Sequence, residues 1–232
     1  MTATMTTALF DVDGTLVDTN YLHAVTWWEA FSQAGYDVPM ASLHRAIGMG
    51  SDQLLDALLP AARERAGDRD ISASHRALYG TYRHRIRPFA KAGELLRSCR
   101  EAGHDIVLAT SAEPHDLAMF RAALRADDVI RETVSGSDVE STKPAPDLVQ
   151  VAMDKVSVPP ERAIFIGDSV WDVRACERAS VPCIGLACGG TSRAELLDAG
   201  AVAAFGDPAD VLASTKGALS SVLKAGSSTG PG

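Results

Sequence analysis

Four short apolar runs constrain this chain more than any other feature in it. They read TALFDV from Thr7, HDIVLAT from His104, RAIFIGD from Arg162 and VPCIGLA from Val181. Each is a near-continuous hydrophobic stretch bounded by polar or turn residues. That pattern suits strands covered on both faces rather than half-exposed ones. ETVSGSD, Glu132 to Asp138, is a weaker fifth candidate. Helical patterns lie between them: AGELLRSCREAG, PHDLAMFRAALRA, PAPDLVQVAMDKV and SVWDVRACERA. Strands alternating with helices predict a doubly wound α/β fold with a parallel sheet.

The stretch from Thr19 to Arg85 breaks this alternation. NYLHAVTWWEAFSQAG, MASLHRAI, SDQLLDALL and SASHRALYGTYRHRI all read as helix, punctuated by Gly35, Gly48-Met49-Gly50, Pro60 and Gly67. The expected organisation is therefore a core formed by 1–18 and 86–224, with a small helical domain over 19–85 inserted after the first strand. The Gly/Ser/Pro-rich end, 225–232, is expected to be disordered.

Composition narrows the partners. The 232 residues carry a net charge of −8, which argues against nonspecific nucleic-acid binding. An anionic small substrate remains compatible, given a metal or a few local cations. Hydrophobic residues make up 46% of the chain, yet no run approaches transmembrane length. No basic, apolar leader opens the sequence, so a signal peptide is not expected and a cytoplasmic location is. Cys99, Cys176, Cys183 and Cys188 form no CxxC pair, which makes structural zinc unlikely and buried reduced thiols the expectation.

LFDVDGTLVDT, Leu9 to Thr19, places Asp11 and Asp13 two residues apart where a core strand should end. In open α/β sheets ligands bind beyond the carboxyl ends of the strands. Thr110 and Asp168 end two other proposed strands, and Lys143 lies in the loop STKPAPD before a helix. Close buried carboxylates need a compensating cation. A hard divalent ion held by oxygen ligands supplies one, and Mg²⁺ commonly takes one or two carboxylates together with phosphate oxygens. Gly14 marks a turn that brings both acids to one centre and offers the Asp13 carbonyl as a ligand. Such a carboxylate serves as a nucleophile toward phosphorus, with a second one as acid and base.

DVDGTLVDT, VLATS, TKPAPD and IGDSVWD resemble, in order, the four motifs of the haloacid dehalogenase-like superfamily. The resemblance spans Asp11 to Asp172 and implies a Rossmann-like core. The insertion is similar to that family's C1 cap, and the nearest subgroup holds phosphoglycolate phosphatases, β-phosphoglucomutases and related sugar-phosphate phosphatases. The resemblance implies Asp11 as nucleophile and metal ligand, and Asp13 as general acid/base and ligand through its carbonyl. It further implies Thr110 and the Ser111 N–H as phosphate binders, Lys143 as phosphoryl stabiliser, Asp168 as metal ligand, and Asp172 as a support for metal-bound water. The implied activity is a Mg²⁺-dependent phosphatase acting on a small phosphorylated metabolite, as monomer or homodimer.

Other residues leave two readings open. Asp172 either serves the metal site or caps the helix that begins near Ser169. His23 either meets the leaving group or is structural, and Arg45 either touches substrate or lies on the surface. Thr15 is expected to bond across the turn, Asp18 or Thr19 to cap the next helix, and Trp27 and Trp28 to pack in the core and cap interface. RHRIR, Arg83 to Arg87, reads as a solvated face. A phosphomutase would share the core, but Ile47 and Ser51 stand where such enzymes place basic residues. A dehalogenase would lack Asp13. A noncatalytic binding protein would have lost a catalytic residue.

Overall fold

A computed structural model describes residues 7–214; the expected disordered tail lies outside them. Six strands, β1 (Thr7–Phe10), β2 (Asp105–Ala109), β3 (Ile130–Val134), β4 (Ala163–Gly167), β5 (Cys183–Leu186) and β6 (Ala203–Phe205), form one parallel sheet in the order β3-β2-β1-β4-β5-β6. This is a doubly wound Rossmann-like sheet.

Alternate side chains explain why the strand runs read as continuously apolar. Ala8 and Phe10 point to one face, where they meet Leu95 and Leu96 of α5 (Ala92–Glu101) and Phe120 of α6 (Pro114–Leu124). Leu9 points to the other, against α7 (Asp147–Val156) and α8 (Val170–Arg178). Both faces are buried, so neither half of the period-two pattern is polar.

Two edge strands depart from the sequence reading. The chain leaves the sheet after Val134, because the Ser135 backbone N–H and hydroxyl both donate to Asp138 at 2.8 and 2.7 Å and close a helical turn. The expected strand over 132–138 is therefore shifted toward Ile130. β6 is three half-buried residues, too short to leave a periodic signal. It is followed by α10 (Pro208–Ser214) and preceded by α9 (Arg193–Asp198).

The helices α1 (Asn20–Gln33), α2 (Met40–Ala46), α3 (Ser51–Leu58) and α4 (Asp68–Tyr82) follow β1 directly. They gather around their own apolar cluster, with Trp27, Phe31, Leu43, Leu54 and Ile71 inside. Trp27 stacks on His75 at 4.1 Å and joins α1 to α4. Trp28, expected with Trp27 in the core and cap interface, is 42% exposed, since it is turned about 100° around α1 from buried Trp27. No helix among the described residues is long and apolar enough to cross a membrane.

Candidate active site

β1 lies between β2 and β4, so their carboxyl ends are neighbours. Asp11, Thr110 and Asp168 each follow the last residue of one of these strands. The sheet order reverses here, and a crevice opens at such a switch point. Asp11 stays in the ladder through its N–H on the Ile166 carbonyl at 2.9 Å. Gly14 then turns at φ +74, a conformation that favours glycine; a Cβ there would sit 2.5 Å from Asp168 Oδ2.

This turn separates the two acids. Asp11 is buried, with Lys143 Nζ donating to Oδ1 at 2.6 Å and the Thr15 hydroxyl donating to Oδ2 at 3.1 Å. The same Thr15 hydroxyl lies 2.9 Å from Asp168 Oδ1, so it ties the first motif to the fourth. Asp13 faces the helical block instead: it accepts from Thr19 at 2.8 Å and Thr110 at 3.3 Å, and His23 Nε2 is 3.3 Å away. Thr19 is thus spent on Asp13 and makes no side-chain cap to α1, and Asp18 is exposed, which corrects the capping expectation for both.

Asp168 accepts from Asn20 Nδ2 at 2.7 Å. Asp172 does two jobs. Its Oδ2 accepts the Ser169 N–H at 3.0 Å and hydroxyl at 2.6 Å, closing the capping box of α8, while Oδ1 lies 2.7 Å from Lys143 Nζ. Ser111 follows Thr110 at the cavity wall, and the Thr110 hydroxyl accepts the Ala112 N–H at 3.1 Å.

Burial raises the Asp11 carboxyl to about 7, with Asp172 and Asp13 adding repulsion against the attraction of Lys143. Burial also raises Asp168 well above the carboxylate range, and Asp172 and Asp11 push the same way. Desolvation opposes the Lys143 charge, but Asp11 and Asp172 outweigh it and hold the ammonium above its usual range. Burial alone would raise Asp13; hydrogen bonds from His23 and Thr19 win and hold it low. His75 is driven down to about 2 by desolvation, so it is neutral beside His23.

Oxygens of Asp11, Asp168 and Asp172 all lie within 4.8 Å of one another, and all three residues are buried. One ammonium among several buried carboxylates leaves excess negative charge in the site. Asn20 Oδ1 is a buried acceptor with no partner beside Asp168. An oxygen-only donor set with an orphan acceptor fits a hard divalent cation such as Mg²⁺.

A cavity of about 310 Å³ opens over these groups between the helical block and the sheet edge. Asp11, Asp13, Thr110, Ser111, Lys143 and His23 line it. Arg45 does not: its side chain is 76% exposed and lies 3.4 Å from Glu195, because α2 turns it outward. The expectation that Arg45 touches substrate is corrected accordingly. Arg83, read as part of a solvated face, lines the cavity and pairs with Asp116 at 3.1 Å. Tyr79, His75 and Arg83 carried no motif. Their one signal was helical spacing on the segment before Pro88.

A family model described as haloacid dehalogenase-like hydrolase matches residues 5–180. The phosphoglycolate phosphatase of Escherichia coli K12 is 29% identical over 206 residues, covering 78% of this chain and 80% of that protein. Protein CbbY of Cereibacter sphaeroides is 30% identical over 194 residues, with 76% and 81% covered. Among solved structures, a hydrolase from Pseudomonas syringae superposes with a TM-score of 0.86 at 31% identity, covering 91% of this chain and 98% of the other. CbbY from Rhodobacter sphaeroides with phosphate gives 0.68 at 24%, with 89% and 96% covered, which speaks to the fold.

Proposed function

The chain belongs to the haloacid dehalogenase-like hydrolase family, and from that premise we propose that it is a Mg²⁺-dependent phosphatase of a small phosphate monoester, working through an aspartyl-phosphate. The observation that carries this reading is the split between Asp11 and Asp13. Two acids two residues apart occupy different environments, one clamped by Lys143 and Thr15, the other held by Thr19, Thr110 and His23. Divergent environments divide roles between paired carboxylates.

Asp11 attacks phosphorus, and the bond from phosphorus to the leaving oxygen breaks. Asp13 gives that oxygen its proton; the approaching phosphate dianion raises its affinity for one. Asp13, again a carboxylate, then takes a proton from the water that attacks the aspartyl-phosphate, and inorganic phosphate leaves. Lys143 Nζ, the Thr110 hydroxyl and the Ser111 N–H hold the phosphoryl oxygens as charge redistributes. Asp11, Asp168 and the Asp13 carbonyl would hold the metal, which supplies charge neutralisation and orientation. Asp172, engaged with Lys143 and α8, supports the site by holding both in place.

Residues 19–85 act in this reading as a cap whose closure excludes water. Three hydrogen bonds favour it: Trp171 Nε1 donates to the Arg45 carbonyl at 2.9 Å, Thr142 donates to Asp52 at 3.0 Å, and His44 Nε2 lies 3.3 Å from the Gly189 carbonyl. The E. coli relative's name and the motif set support phosphoglycolate-like or sugar-phosphate-like esters as the first candidates to assay. A phosphomutase needs a grip on a second phosphate, and the cavity has Ile47 and Ser51 at that wall.

Hydrolysis of p-nitrophenyl phosphate and acetyl phosphate with and without Mg²⁺ tests the reading, together with mass-spectrometric trapping of phosphate on Asp11. Metal-dependent turnover with the label on Asp11 supports it; absence of turnover on a wide ester panel overturns it.

A further inference from the structure

Two histidines stand behind Asp13. His23 lies on α1 and His75 on α4, and each has an aromatic residue four positions later, Trp27 and Tyr79. Residues at that spacing share a helix face. The two faces meet crosswise: Trp27 stacks on His75 at 4.1 Å with the planes 10° apart, and Tyr79 stacks on His23 at 4.1 Å with the planes 7° apart. Each imidazole is held against a large ring and cannot turn freely. The two meet edge to edge, with His23 Nδ1 3.2 Å from His75 Nε2, while His23 Nε2 lies 3.3 Å from Asp13 Oδ1. Asp13, His23 and His75 therefore form one chain, running from the cavity floor to the packing of α1 on α4.

The proton positions along it follow from charge. Desolvation opposes the Asp13 charge, but hydrogen bonds from His23 and Thr19 hold the carboxyl low, so it is a carboxylate and only accepts. His23 Nε2 must then carry a proton. His75 is 8% exposed, and desolvation keeps it neutral, with one proton. One proton on each ring completes the chain when the donors point the same way: His75 Nε2–H donates to His23 Nδ1, and His23 Nε2–H donates to Asp13 Oδ1. His23 is left with no free lone pair. The two Asp13 oxygens differ as a result. Oδ1 accepts from Thr19 at 2.8 Å as well as from His23. Oδ2 faces the Thr110 hydroxyl at 3.3 Å.

Resting on the phosphatase reading, we infer that His75 is a positioning residue for the acid and base Asp13: it fixes the tautomer of His23, so that Oδ1 stays an acceptor and the transferable proton rides on Oδ2, the oxygen beside Thr110. That proton passes from Oδ2 to the leaving oxygen as its bond to phosphorus breaks. Oδ2 later takes one from the attacking water, and the protons of His23 and His75 stay where they are. A His23 of the other tautomer would offer Asp13 a bare Nε2. The Asp13 proton would then settle between Oδ1 and that nitrogen, away from the leaving oxygen.

The test compares kcat/KM for p-nitrophenyl phosphate and phenyl phosphate in the wild type, His75→Phe and His75→Gln. The two esters fill similar space, but phenolate is the poorer leaving group and needs the proton more. His75→Phe keeps a ring against Trp27 and removes the donor, whereas His75→Gln returns an N–H near the place of Nε2. The ratio of p-nitrophenyl to phenyl phosphate should rise about tenfold in His75→Phe, a part of the 10²–10⁴-fold that a general acid contributes, and return toward the wild-type ratio in His75→Gln. A merely structural role would lower both esters together and leave the ratio intact. An unmoved ratio in His75→Phe, or an equal rise in both variants, overturns the proposal. Long-range proton–nitrogen NMR spectra of the wild type, assigned through His23→Gln and His75→Gln, give a second readout that needs no turnover. Both rings should carry their proton on Nε2, and a proton on His23 Nδ1 overturns the proposal. Should the wild type hydrolyse neither ester, the phosphatase reading fails separately, and the tautomers still judge the chain from His75 to Asp13.

Discussion

Lys143 Nζ lies 2.6 Å from Asp11 Oδ1, and both side chains are buried. The same ammonium lies 2.7 Å from Asp172, so one cation holds together the first motif, the third and the fourth. Replacing it should damage catalysis and the resting site alike. Lys143→Met should lower turnover of acetyl phosphate by about 10²–10³-fold, the usual cost of removing one preorganised charge-stabilising donor. Activity within tenfold of wild type, with circular dichroism showing an intact fold, would remove Lys143 from the phosphoryl site.

Asp11 also sets a pH dependence. Burial raises its carboxyl from 3.8 to about 7, so the native state binds more protons than the unfolded one between these values. Without metal, this group costs stability progressively as pH rises through that window, with the full cost above it. Asp11→Asn lacks the charge. In chelator, its Tm relative to wild type should therefore rise from about pH 4 to about pH 8. A Tm difference that is flat with pH would contradict the assignment. The variant should also be inactive, since an amide is a poor nucleophile.

Asp13→Asn separates proton transfer from metal binding. The substitution keeps the backbone carbonyl and loses the acid, which is worth about 10²–10⁴-fold in rate. Calorimetric Mg²⁺ titration should find near-native affinity in Asp13→Asn and a severe loss in Asp168→Ala. Equal losses in the two would refute the division of labour.

Gly50 has a steric role at the junction of α3 with the loop that carries Lys143. A Cβ there would overlap the Thr142 side chain, the residue before Lys143. Gly50→Ala should push the two apart and lower kcat/KM by about tenfold or more, since small displacements of positioned groups are expensive. Thr142→Gly in the same chain should restore much of the loss. Failure of this rescue would place the defect elsewhere.

Arg45→Ala is the corresponding silent change. The side chain is exposed and its pairing with Glu195 is a solvated one. Activity on every ester should stay within about twofold of wild type. A selective loss on one ester would return Arg45 to the substrate site.

How much was readable follows from where each residue sits. Asp11, Thr110 and Asp168 follow buried strands, and a parallel sheet aligns strand ends whatever the loops do. That makes their convergence a consequence of the apolar runs alone. Lys143 was readable as the loop residue preceding a helix within an ordered set of motifs. Arg45, Trp28 and Arg83 were not. Each lies on or beside one of the helices α1–α4, where a rotation of 100° per residue exchanges surface for cavity. β6 and the end of β3 escaped because both are edge strands: β6 takes only three half-buried residues of the short apolar stretch 201–205, and β3 exposes Arg131 and Glu132.

The sequence by itself therefore determined the chemistry of the strand ends: which acids, hydroxyl and lysine stand at the carboxyl edge, and that a helical insertion follows the first of them. Local apolar periodicity and turn residues carry that information, because they act over a few residues. Only the tertiary structure decided what faces those groups. Thr15 reaches an acid 153 positions away, and Thr142 reaches Asp52 across 90. Tyr79 meets the cavity only because the Trp27–His75 stack fixes how α1 and α4 turn against each other. Such contacts depend on the rotation and docking of whole helices, which close packing of the assembled side chains decides.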